Sequence, residues 1–400
     1  MKRKILLLNP PGKRLYLRDY YCSHISKGNY YWHPIDLLAL SGILAPAHTL
    51  SVLDAMALRL SPDKSMQHIL KQNVDTIIFL TGTVSWEEDF TFIRQIKETR
   101  EVTLMGTGDL LLFEGIRTMQ AYPFLDGVLL DFLSTSILDY LGGANGPIPH
   151  ILYRQGNRII AGSTEWECGE FELPLPRHTL FPLSRYNLPH IRYHPFASVL
   201  ATFGCPGQCA FCPMESVPFR LRKLENIMDE LNMLSGLGIR EIWFRDQTFT
   251  GNQKHAHTIC EKMIESGLHF SWSCETRVDK INENLLRLMN RAGCHLITMG
   301  VESASQETLD RYKKNIDLKR VQEMFLLCKR VGIRTLAHFI LGLPAGTEKD
   351  QLDIIALAKE LHPDFVSFNI ATPQLGTRFR QEAIRKGWTD PGIKVMDSSL

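Results

Sequence analysis

Three cysteines in the stretch GCPGQCAFCP have a spacing, C-x3-C-x2-C, that suits a metal cluster; they are Cys205, Cys209 and Cys212. A [4Fe–4S] cluster takes four ligands, usually thiolates, and a loop this short can wrap around one corner of such a cluster. Three thiolates leave one iron without a protein ligand, and chemistry can occur at an open iron. Two other interpretations stay open at this point. One is a zinc site with a fourth ligand such as His190 or His194, and the other is three unrelated buried cysteines.

The second half of the chain contains the elements that must position this loop. A strand over residues 198–203 leads directly into it. Further apolar runs predict strands over 241–244, 269–275, 295–301, 334–342 and 364–371, with helical segments between them. Six strand–helix units are fewer than the eight of a closed barrel, so we expect an open, partial barrel. The loop follows the first strand and therefore lies at the carboxyl ends of the strands, where such barrels carry their active groups.

The first half of the chain alternates short apolar runs with amphipathic segments. The apolar runs cover residues 4–9, 49–55, 75–82, 102–108 and 124–131. Five strand–helix units in sequence predict a doubly wound α/β domain, with a parallel sheet and helices on both faces. Ligands of such sheets bind at the carboxyl ends of the strands. Each turn at those ends, taken alone, is also compatible with an ordinary connection between a strand and a helix.

A proline-rich connector separates the two halves. Within it, residues 151–162 predict a small hairpin, because Gln155-Gly156-Asn157 supplies a turn between two apolar arms. We expect the rest to be an extended linker without catalytic residues. The predicted boundaries are 1–146 for the first domain, 147–195 for the linker, 196–388 for the barrel and 389–400 for a tail.

Composition excludes several classes of protein. The 400 residues predict two or three domains. Lys and Arg number 45 against 43 Asp and Glu, so no charge excess points to nucleic acid. No apolar run approaches the roughly 20 residues that span a bilayer, and Asn9-Pro10-Pro11 interrupts the N-terminal leucines too early for a signal peptide. We therefore expect a cytoplasmic protein whose nine cysteines are ligands or buried thiols rather than disulfides.

Over residues 198–375 the chain resembles the radical S-adenosylmethionine (SAM) superfamily. The resemblance lies in the cysteine spacing, in Phe211 before the last cysteine, and in the place of the loop after the first of six strand–helix units. It implies that Cys205, Cys209 and Cys212 hold a [4Fe–4S] cluster whose open iron is chelated by SAM. Cleavage of SAM then gives methionine and a 5′-deoxyadenosyl radical, which removes a hydrogen atom from the substrate. The protein holds the reacting atoms in line and excludes water and oxygen, as an anaerobic reaction of this kind requires.

The resemblance also assigns SAM-binding residues at the ends of later strands. Asp246, in the segment FRDQTF, corresponds to the family's contact with the SAM amino group, and a carboxylate is a good partner for an ammonium. Glu302 and Ser303 correspond to the segment that faces the SAM ribose and carboxylate. Gly342 begins the turn GLPAGTE, similar to the family's turn against adenine, and a glycine allows close backbone approach. For Asp246 and Glu302 the alternative is a solvated or salt-bridged acid.

Two residues at the end of the third strand are candidate catalytic residues. Cys274 and Arg277, in WSCETR, would face the cavity next to SAM, and Arg277 could hold a carboxylate. The alternative makes Cys274 a small core residue and pairs Arg277 with an acid such as Glu275.

Residues 3–145 resemble, in pattern, the cobalamin-binding domain that precedes the barrel in one large class of radical SAM enzymes. In that class the corrin lies over the strand-end turns. The resemblance implies cobalamin contacts that we list together: Asn9, Pro10, Thr81, Thr83, Gly106 and Gly108. The D-x-H-x-x-G signature that supplies a histidine to cobalt is missing, since Ala55-Met56-Ala57 follows Asp54. Many radical members lack it too, so a domain that has lost its cofactor stays an alternative.

The predicted function is therefore that of a cobalamin-dependent radical SAM methyltransferase acting at an unactivated carbon or at phosphorus. A second possibility uses the same cofactors for ring formation or another rearrangement without methyl transfer. A methylthiotransferase is disfavoured, because only Cys22 and Cys168 precede Cys205 and a second N-terminal cysteine set is lacking. A non-catalytic iron–sulfur or corrinoid carrier would not need Asp246, Glu302 or Ser303.

The resemblance also implies partners. We expect a small-molecule or biosynthetic-intermediate substrate and an external one-electron reductant of the flavodoxin or ferredoxin type. No nucleic acid and no membrane span are expected. A partner or a second subunit is expected to close the mouth of the barrel; the alternative is a large substrate that enters an open mouth.

Overall fold

The computed structural model describes residues 2–166, 168–344, 347–394 and 397–398. The chain forms two compact units. The first unit comprises Met1–Glu167, Leu173–Leu188 and Asp390–Asp397. The second comprises Cys168–Glu172, Pro189–Thr389 and Ser398–Leu400. Among the described residues, no helix is long and apolar enough to cross a membrane.

The first unit is built on a seven-stranded sheet. Its strands are β1 (Lys4–Asn9), β4 (Thr49–Asp54), β5 (Thr76–Leu80), β6 (Thr103–Thr107), β7 (Gly127–Leu129), β8 (Ile151–Gln155) and β9 (Arg158–Ala161). Their order in the sheet is β4-β1-β5-β6-β7-β8-β9. The helices are α1 (Ile35–Leu44), α2 (Pro62–Leu70), α3 (Trp86–Thr99), α4 (Asp109–Ala121) and α5 (Ser136–Gly142). A separate two-stranded sheet pairs β2 (Tyr16–Leu17) with β3 (His24–Ile25). All five predicted strands are present, and they run parallel.

Parallel strands form here because the apolar runs are nearly continuous. In β1 every residue after Lys4 is buried, as expected of a strand covered on both faces. Strand β5 is buried throughout. The doubly wound fold predicted for the first half is confirmed.

The predicted linker needs a correction. Its hairpin forms as predicted, but β8 pairs antiparallel with β7 and so extends the first sheet. The hairpin joins the sheet because Ile151, Leu152 and Tyr153 are buried there. Leu173–Leu188 and Asp390–Asp397 also belong to the first unit, so the linker and the tail are in part structured.

The second unit is a curved sheet of six parallel strands in sequential order. The strands are β11 (Phe196–Val199), β14 (Glu241–Phe244), β15 (Ser271–Thr276), β16 (Cys294–Glu302), β17 (Arg334–Leu341) and β18 (Phe365–Ile370). The helices are α6 (Leu224–Gly236), α7 (Gln253–Glu265), α8 (Glu283–Arg291), α9 (Gln306–Arg311), α10 (Leu318–Val331), α11 (Glu348–Leu361) and α12 (Arg378–Arg385). The six predicted strand–helix units are present.

The predicted first strand, 198–203, is divided in two. Residues up to Val199 continue the barrel as β11, whereas β12 (Thr202–Phe203) pairs with β13 (Arg220–Arg222), which in turn pairs with β10 (Gly169–Phe171). The break lies where the Asp246 carboxylate accepts the backbone N–H groups of Ala201 and Thr202. The cysteine loop runs between β12 and β13.

Candidate active site

Backbone amides of the cysteine loop form hydrogen bonds at its start and within it. The amide of Gly204 donates to the side-chain oxygen of Gln247 at 3.0 Å. Gly204 has φ +85°, and a Cβ there would collide with the Pro218 carbonyl oxygen, so only glycine fits. Within the loop, the amide of Cys212 donates to the Cys209 carbonyl at 3.0 Å. These bonds turn the three cysteines into one tight loop at the carboxyl end of the first barrel strand.

The three thiols are close enough to influence one another electrostatically. Burial raises the pKa of the Cys209 thiol, and burial together with the neighbouring Cys209 and Cys205 raises the pKa of Cys212 to about 12. The Cys205 sulfur accepts the amide of Gly207 at 3.3 Å and lies 3.1 Å from the Thr248 hydroxyl oxygen. A bound cluster must displace the thiol protons, since thiolate is the ligand form. Three neighbouring thiols on one loop are the donor set that a [4Fe–4S] cluster with one open iron requires.

Neither histidine considered as a fourth zinc ligand lies at the cysteine loop. His194 lies beside Phe196, at the amino end of β11, whereas the cysteine loop follows the carboxyl end of that strand. His190 is buried near Trp243 and close to His295, again away from the loop. Across the described part of the chain, no three His, Cys, Asp or Glu side chains form a ready-made site for a single metal ion.

Asp246 has one carboxylate oxygen bonded to two backbone amides. It lies just beyond β14 and is fully buried. Its Oδ1 accepts the amide of Ala201 at 2.8 Å and that of Thr202. Its Oδ2 is buried and forms no hydrogen bond of good geometry within the described residues, although the Thr202 hydroxyl lies close enough to the carboxyl to help lower its pKa. Burial raises the pKa of this carboxyl to about 7, because the two amides do not fully replace the lost water. Such a buried carboxylate oxygen fits an incoming N–H donor.

Arg277 contacts the cysteine loop directly. Its Nη1 lies 3.5 Å from the Cys209 sulfur, and its Nη2 donates to the Lys314 carbonyl at 2.7 Å. Its Nε donates to Asp279 at 2.8 Å. The alternative, in which Arg277 pairs with a neighbouring acid, is therefore realised with Asp279. Glu275, the acid given as an example, lies 3.9 Å from Arg245 instead.

Lys314 was not identified from the sequence. Its Nζ pairs with Glu302 Oε1 at 2.8 Å, and both side chains are largely buried. The pair lies against Gly300, where a Cβ would collide with the Glu302 carboxylate. Burial lowers the pKa of Lys314, but Glu302 and Cys209 outweigh this effect and raise it, so the ammonium keeps its charge. In the sequence, the only indication is that a buried Glu302 would need a basic partner. The pair Lys313-Lys314 does not stand out as that partner, because two adjacent lysines are typical of an exposed surface.

The other predicted SAM contacts also lie at the carboxyl ends of their strands. Glu302 ends β16 with φ +70°, and the next residue, Ser303, is buried and accepts the amide of Ser305 at 3.1 Å. Gly342 follows β17 with φ +81°, and its amide donates to Gln351 at 2.8 Å. Ala345 and Gly346 of the predicted adenine turn lie outside the described residues.

Cys274 does not join this group. Its thiol is fully buried and hydrogen-bonds the thiol of Cys294, and Cys260 of α7 lies nearby. Burial therefore raises the pKa of Cys274 well above its usual value. The prediction that Cys274 faces the reaction cavity is not supported, because its neighbours are core thiols of the strand and helix layers.

In the first unit, the turns expected to contact cobalamin lie side by side at the carboxyl edge of the sheet. They follow β1, β5 and β6, which are neighbours in the sheet. Residues 16–33, here called the cover segment, supply side chains to this edge. Its Arg18 donates to the Asn9 side chain at 2.8 Å and to the Pro10 carbonyl at 3.0 Å.

The polar side chains at this edge are paired within the unit. Asn9 donates to Tyr31 and to Asp54. The Thr81 hydroxyl donates to Asp89 at 2.8 Å, and Asp89 also forms a buried ion pair with Arg18. We list the remaining contacts together: Tyr186 donates to Asp54 at 2.9 Å, and Asp109 accepts from Thr83 at 2.8 Å and from Ser23 at 2.8 Å.

These contacts limit how the edge could hold a corrinoid. Gly106 is packed against Leu111 and Phe79, and Gly108 approaches the Thr81 carbonyl so closely that a Cβ would collide. The side chains of Asn9, Thr81 and Thr83, which were expected to contact cobalamin, form the hydrogen bonds described above within the unit. Thr107 Oγ1 is buried and has no partner in the described part of the chain. The residues present fit a corrinoid through this hydroxyl and through the turn backbone.

Comparisons with known proteins agree with the two-unit architecture. Residues 199–372 match the family model described as the Radical SAM superfamily. An uncharacterized methyltransferase of Pyrococcus horikoshii is 30% identical over 364 residues, which cover 88% of this chain and 78% of the relative. A cytidylyl-2-hydroxyethylphosphonate methyltransferase of Streptomyces wedmorensis is 27% identical over 222 residues, covering 53% of this chain but only 42% of the relative.

A solved structure has the same fold over almost the whole chain. It is the radical SAM methyltransferase TsrM from Kitasatospora setae with cobalamin and a [4Fe–4S] cluster bound, and it superposes with a TM-score of 0.75. The match covers 98% of this chain and 77% of TsrM at 16% sequence identity. The likeness establishes a shared fold in both the strand-rich first unit and the partial barrel.

Proposed function

The chain belongs to the radical SAM superfamily, in the class with an N-terminal cobalamin-binding domain, and is an enzyme. We propose that it transfers a methyl group from SAM to an unactivated carbon or to phosphorus of a small molecule. When bound, the cluster supplies the electron that cleaves SAM, and cobalamin supplies the carrier for the methyl group. The observation that carries this proposal is the loop of three thiols next to the buried Oδ2 of Asp246.

The chain's own residues bind and orient SAM in this proposal. Cys205, Cys209 and Cys212 are the thiolate ligands of the cluster. Asp246 Oδ2 accepts an N–H of the SAM amino group, because it is a buried carboxylate oxygen without a hydrogen bond of good geometry to any other described residue. Lys314 supplies a positive charge for the SAM carboxylate, and Glu302 holds that lysine in place through the 2.8 Å pair.

Arg277 has a positioning role rather than a catalytic one. Its guanidinium joins the Cys209 sulfur to the Lys314 carbonyl. It therefore fixes the distance between a cluster ligand and the lysine that holds SAM. Ser303 and Gly342 shape the neighbouring turns, where the ribose and adenine of SAM bind.

Cobalamin, in this proposal, lies at the carboxyl edge of the first sheet. The fold shared with TsrM and the buried, unpaired Thr107 hydroxyl support this placement. The corrinoid contacts the backbone of the turns at Pro10 and Gly108, since Asn9, Thr81 and Thr83 serve the domain's internal network and Gly106 lies inside β6 against Leu111 and Phe79.

The cellular setting is also a proposal. The enzyme works in the cytoplasm, receives single electrons from an external donor protein, and has its barrel mouth closed by a partner or a second subunit. Electron supply by an external donor is supported by the chemistry of the cluster, which consumes one electron per SAM cleaved.

Cofactor content and label transfer test the proposal. Protein purified anaerobically, reconstituted with iron and sulfide and supplied with hydroxocobalamin should carry four irons and one corrinoid per chain. With methyl-labelled SAM, mass spectrometry should find the label in the product. A product without the label would replace methyl transfer by a rearrangement, and protein that retains no corrinoid would remove cobalamin from the account.

A further inference from the structure

A groove lies beside the cysteine loop, between the loop, the turn after α9 and helix α12. It encloses about 610 Å³. Its basic wall is formed by four residues: Arg311, Lys313, Arg378 and Arg385. We call it the loop groove.

The loop groove carries an excess of positive charge. Arg311 pairs with Glu382 at 2.8 Å, and Arg378 pairs with Glu215. Lys313 and Arg385 are exposed and have no ion-pair partner among the described residues. Two cations are therefore free to attract an acidic surface, and long-range attraction of this kind accelerates docking.

The walls of the groove are bonded to the cluster loop itself. The amide of Ala210 donates to the Tyr312 carbonyl at 2.8 Å, and the amide of Phe379 donates to the Ala210 carbonyl at 2.9 Å. Arg378 also donates to the Gln208 carbonyl at 2.8 Å. Gln208 and Ala210 flank the ligand Cys209, so only the thickness of the loop separates the groove from the thiolates.

The loop groove is separate from the proposed SAM site. Lys313 lines the groove, whereas the next residue, Lys314, is buried and pairs with Glu302. Tyr312 forms the floor between them, packing edge-on against Phe379 at 5.7 Å and donating to the Pro344 carbonyl at 2.8 Å. The wall is thus well packed, and a molecule in the groove approaches the cluster without entering the SAM site.

We propose that the loop groove docks the acidic face of a one-electron donor protein of the flavodoxin or ferredoxin class. The donor loses one electron, and the cluster gains it through the loop between Cys205 and Cys212. This inference rests on the proposed function, because it assumes that the three thiols hold a redox-active cluster. It adds the surface through which that cluster is reduced.

The chain also offers a matched control surface. A second basic cavity of about 360 Å³ is lined by Arg192, Arg240 and Arg291. Arg240 directly precedes β14, so this cavity lies at the amino ends of the strands, opposite the cysteine loop. This cavity is also basic, but it lies too far from the cysteine loop for a donor bound there to pass an electron to the cluster.

The test compares the double variant Lys313→Glu/Arg385→Glu with the control Arg240→Glu/Arg291→Glu, both carrying the reconstituted cluster. SAM cleavage is measured with reduced flavodoxin, with reduced ferredoxin and with dithionite, over a range of salt concentrations. We expect the groove variant to raise the apparent KM for at least one protein donor about tenfold and to weaken its salt dependence. The dithionite rate should stay unchanged, and the control should behave as wild type.

Two results would overturn the inference. One is an unchanged KM for both donor proteins in the groove variant, and the other is an equal rise in the control. Binding of oxidised flavodoxin and ferredoxin to the same proteins, measured by calorimetry, gives a readout that needs no SAM cleavage. If dithionite drives no cleavage in the wild type, the proposed function fails, while the binding comparison still decides whether the groove docks a donor.

Discussion

Asp246 shows how one buried side chain can serve both the fold and the site. Its Oδ1 bends the chain after β11 by accepting two backbone amides, which turns the following residues into the cysteine loop. Its Oδ2 forms no hydrogen bond of good geometry within the described residues, and burial raises the carboxyl pKa to about 7. An N–H donor beside it would favour the charged form and release a proton at neutral pH.

Replacement of Asp246 by Asn should weaken SAM binding about 10- to 100-fold, because a charge-assisted hydrogen bond is lost. In the wild type, SAM should bind more tightly as the pH rises from about 6 to 8, since the carboxyl must ionise. Calorimetry on cluster-loaded protein measures both effects. Glu241→Gln, at the other end of the same strand, is the matched control and should leave SAM affinity unchanged. Equal affinity of wild type and Asp246→Asn would remove Asp246 from the SAM site.

The sequence identifies those site residues whose spacing is distinctive or whose position at the end of a predicted strand suggests a function. The cysteine triplet and the strand-end acids Asp246 and Glu302 belong to this group. The sequence does not identify Lys314, because its partner Glu302 is 12 residues away and the two meet only when the turn after α9 packs against the end of β16. The alternation of a strand does not tell which of its faces meets the helices, so the sequence does not show that Cys274 points into the core.

At the scale of elements, the cover segment has the most unusual role in the first unit. It brings Arg18, Ser23 and Tyr31 onto the carboxyl edge of the sheet, where they pair with buried acids. The sequence of residues 16–33 has no helical or strand periodicity that would predict this role. The segment contains only two short strands and is held in place by side-chain hydrogen bonds and an ion pair. The five sheet strands, by contrast, could be predicted from their continuous apolar runs.

This buried network should make the stability of the first unit depend on pH. Burial raises the pKa values of Asp54 and Asp109 to about 6, above the ordinary 3.8. The folded state therefore binds protons that the unfolded state releases, so stability should fall as the pH rises from about 4 to 6, by about 2–3 kcal/mol per carboxyl.

Denaturant unfolding of the cofactor-free protein at several pH values checks this expectation. Asp54→Asn should reduce the slope between pH 4 and 6, because one of the buried carboxyls with a raised pKa is gone. The exposed Asp63→Asn serves as the control and should keep the wild-type slope. A slope that rises over this range would show that the two acids are ionised and stabilised in the folded state.

At the scale of the whole molecule, the chain joins a doubly wound unit to a partial barrel, and each could be predicted from the order of its strands. The boundary between them could not. The hairpin β8–β9 and residues 173–188 return to the first unit through pairing and packing that the proline-rich sequence does not reveal.

The central claim is that Cys205, Cys209 and Cys212 hold a cluster that cleaves SAM. The most direct test measures 5′-deoxyadenosine formed from SAM and dithionite by the reconstituted wild type, by Cys209→Ala and by the core control Cys260→Ala. We expect product from the wild type and the control, and at least a roughly 100-fold loss in Cys209→Ala, whose cluster lacks a ligand. Undiminished product from Cys209→Ala, or none from a wild type carrying four irons per chain, would contradict that claim.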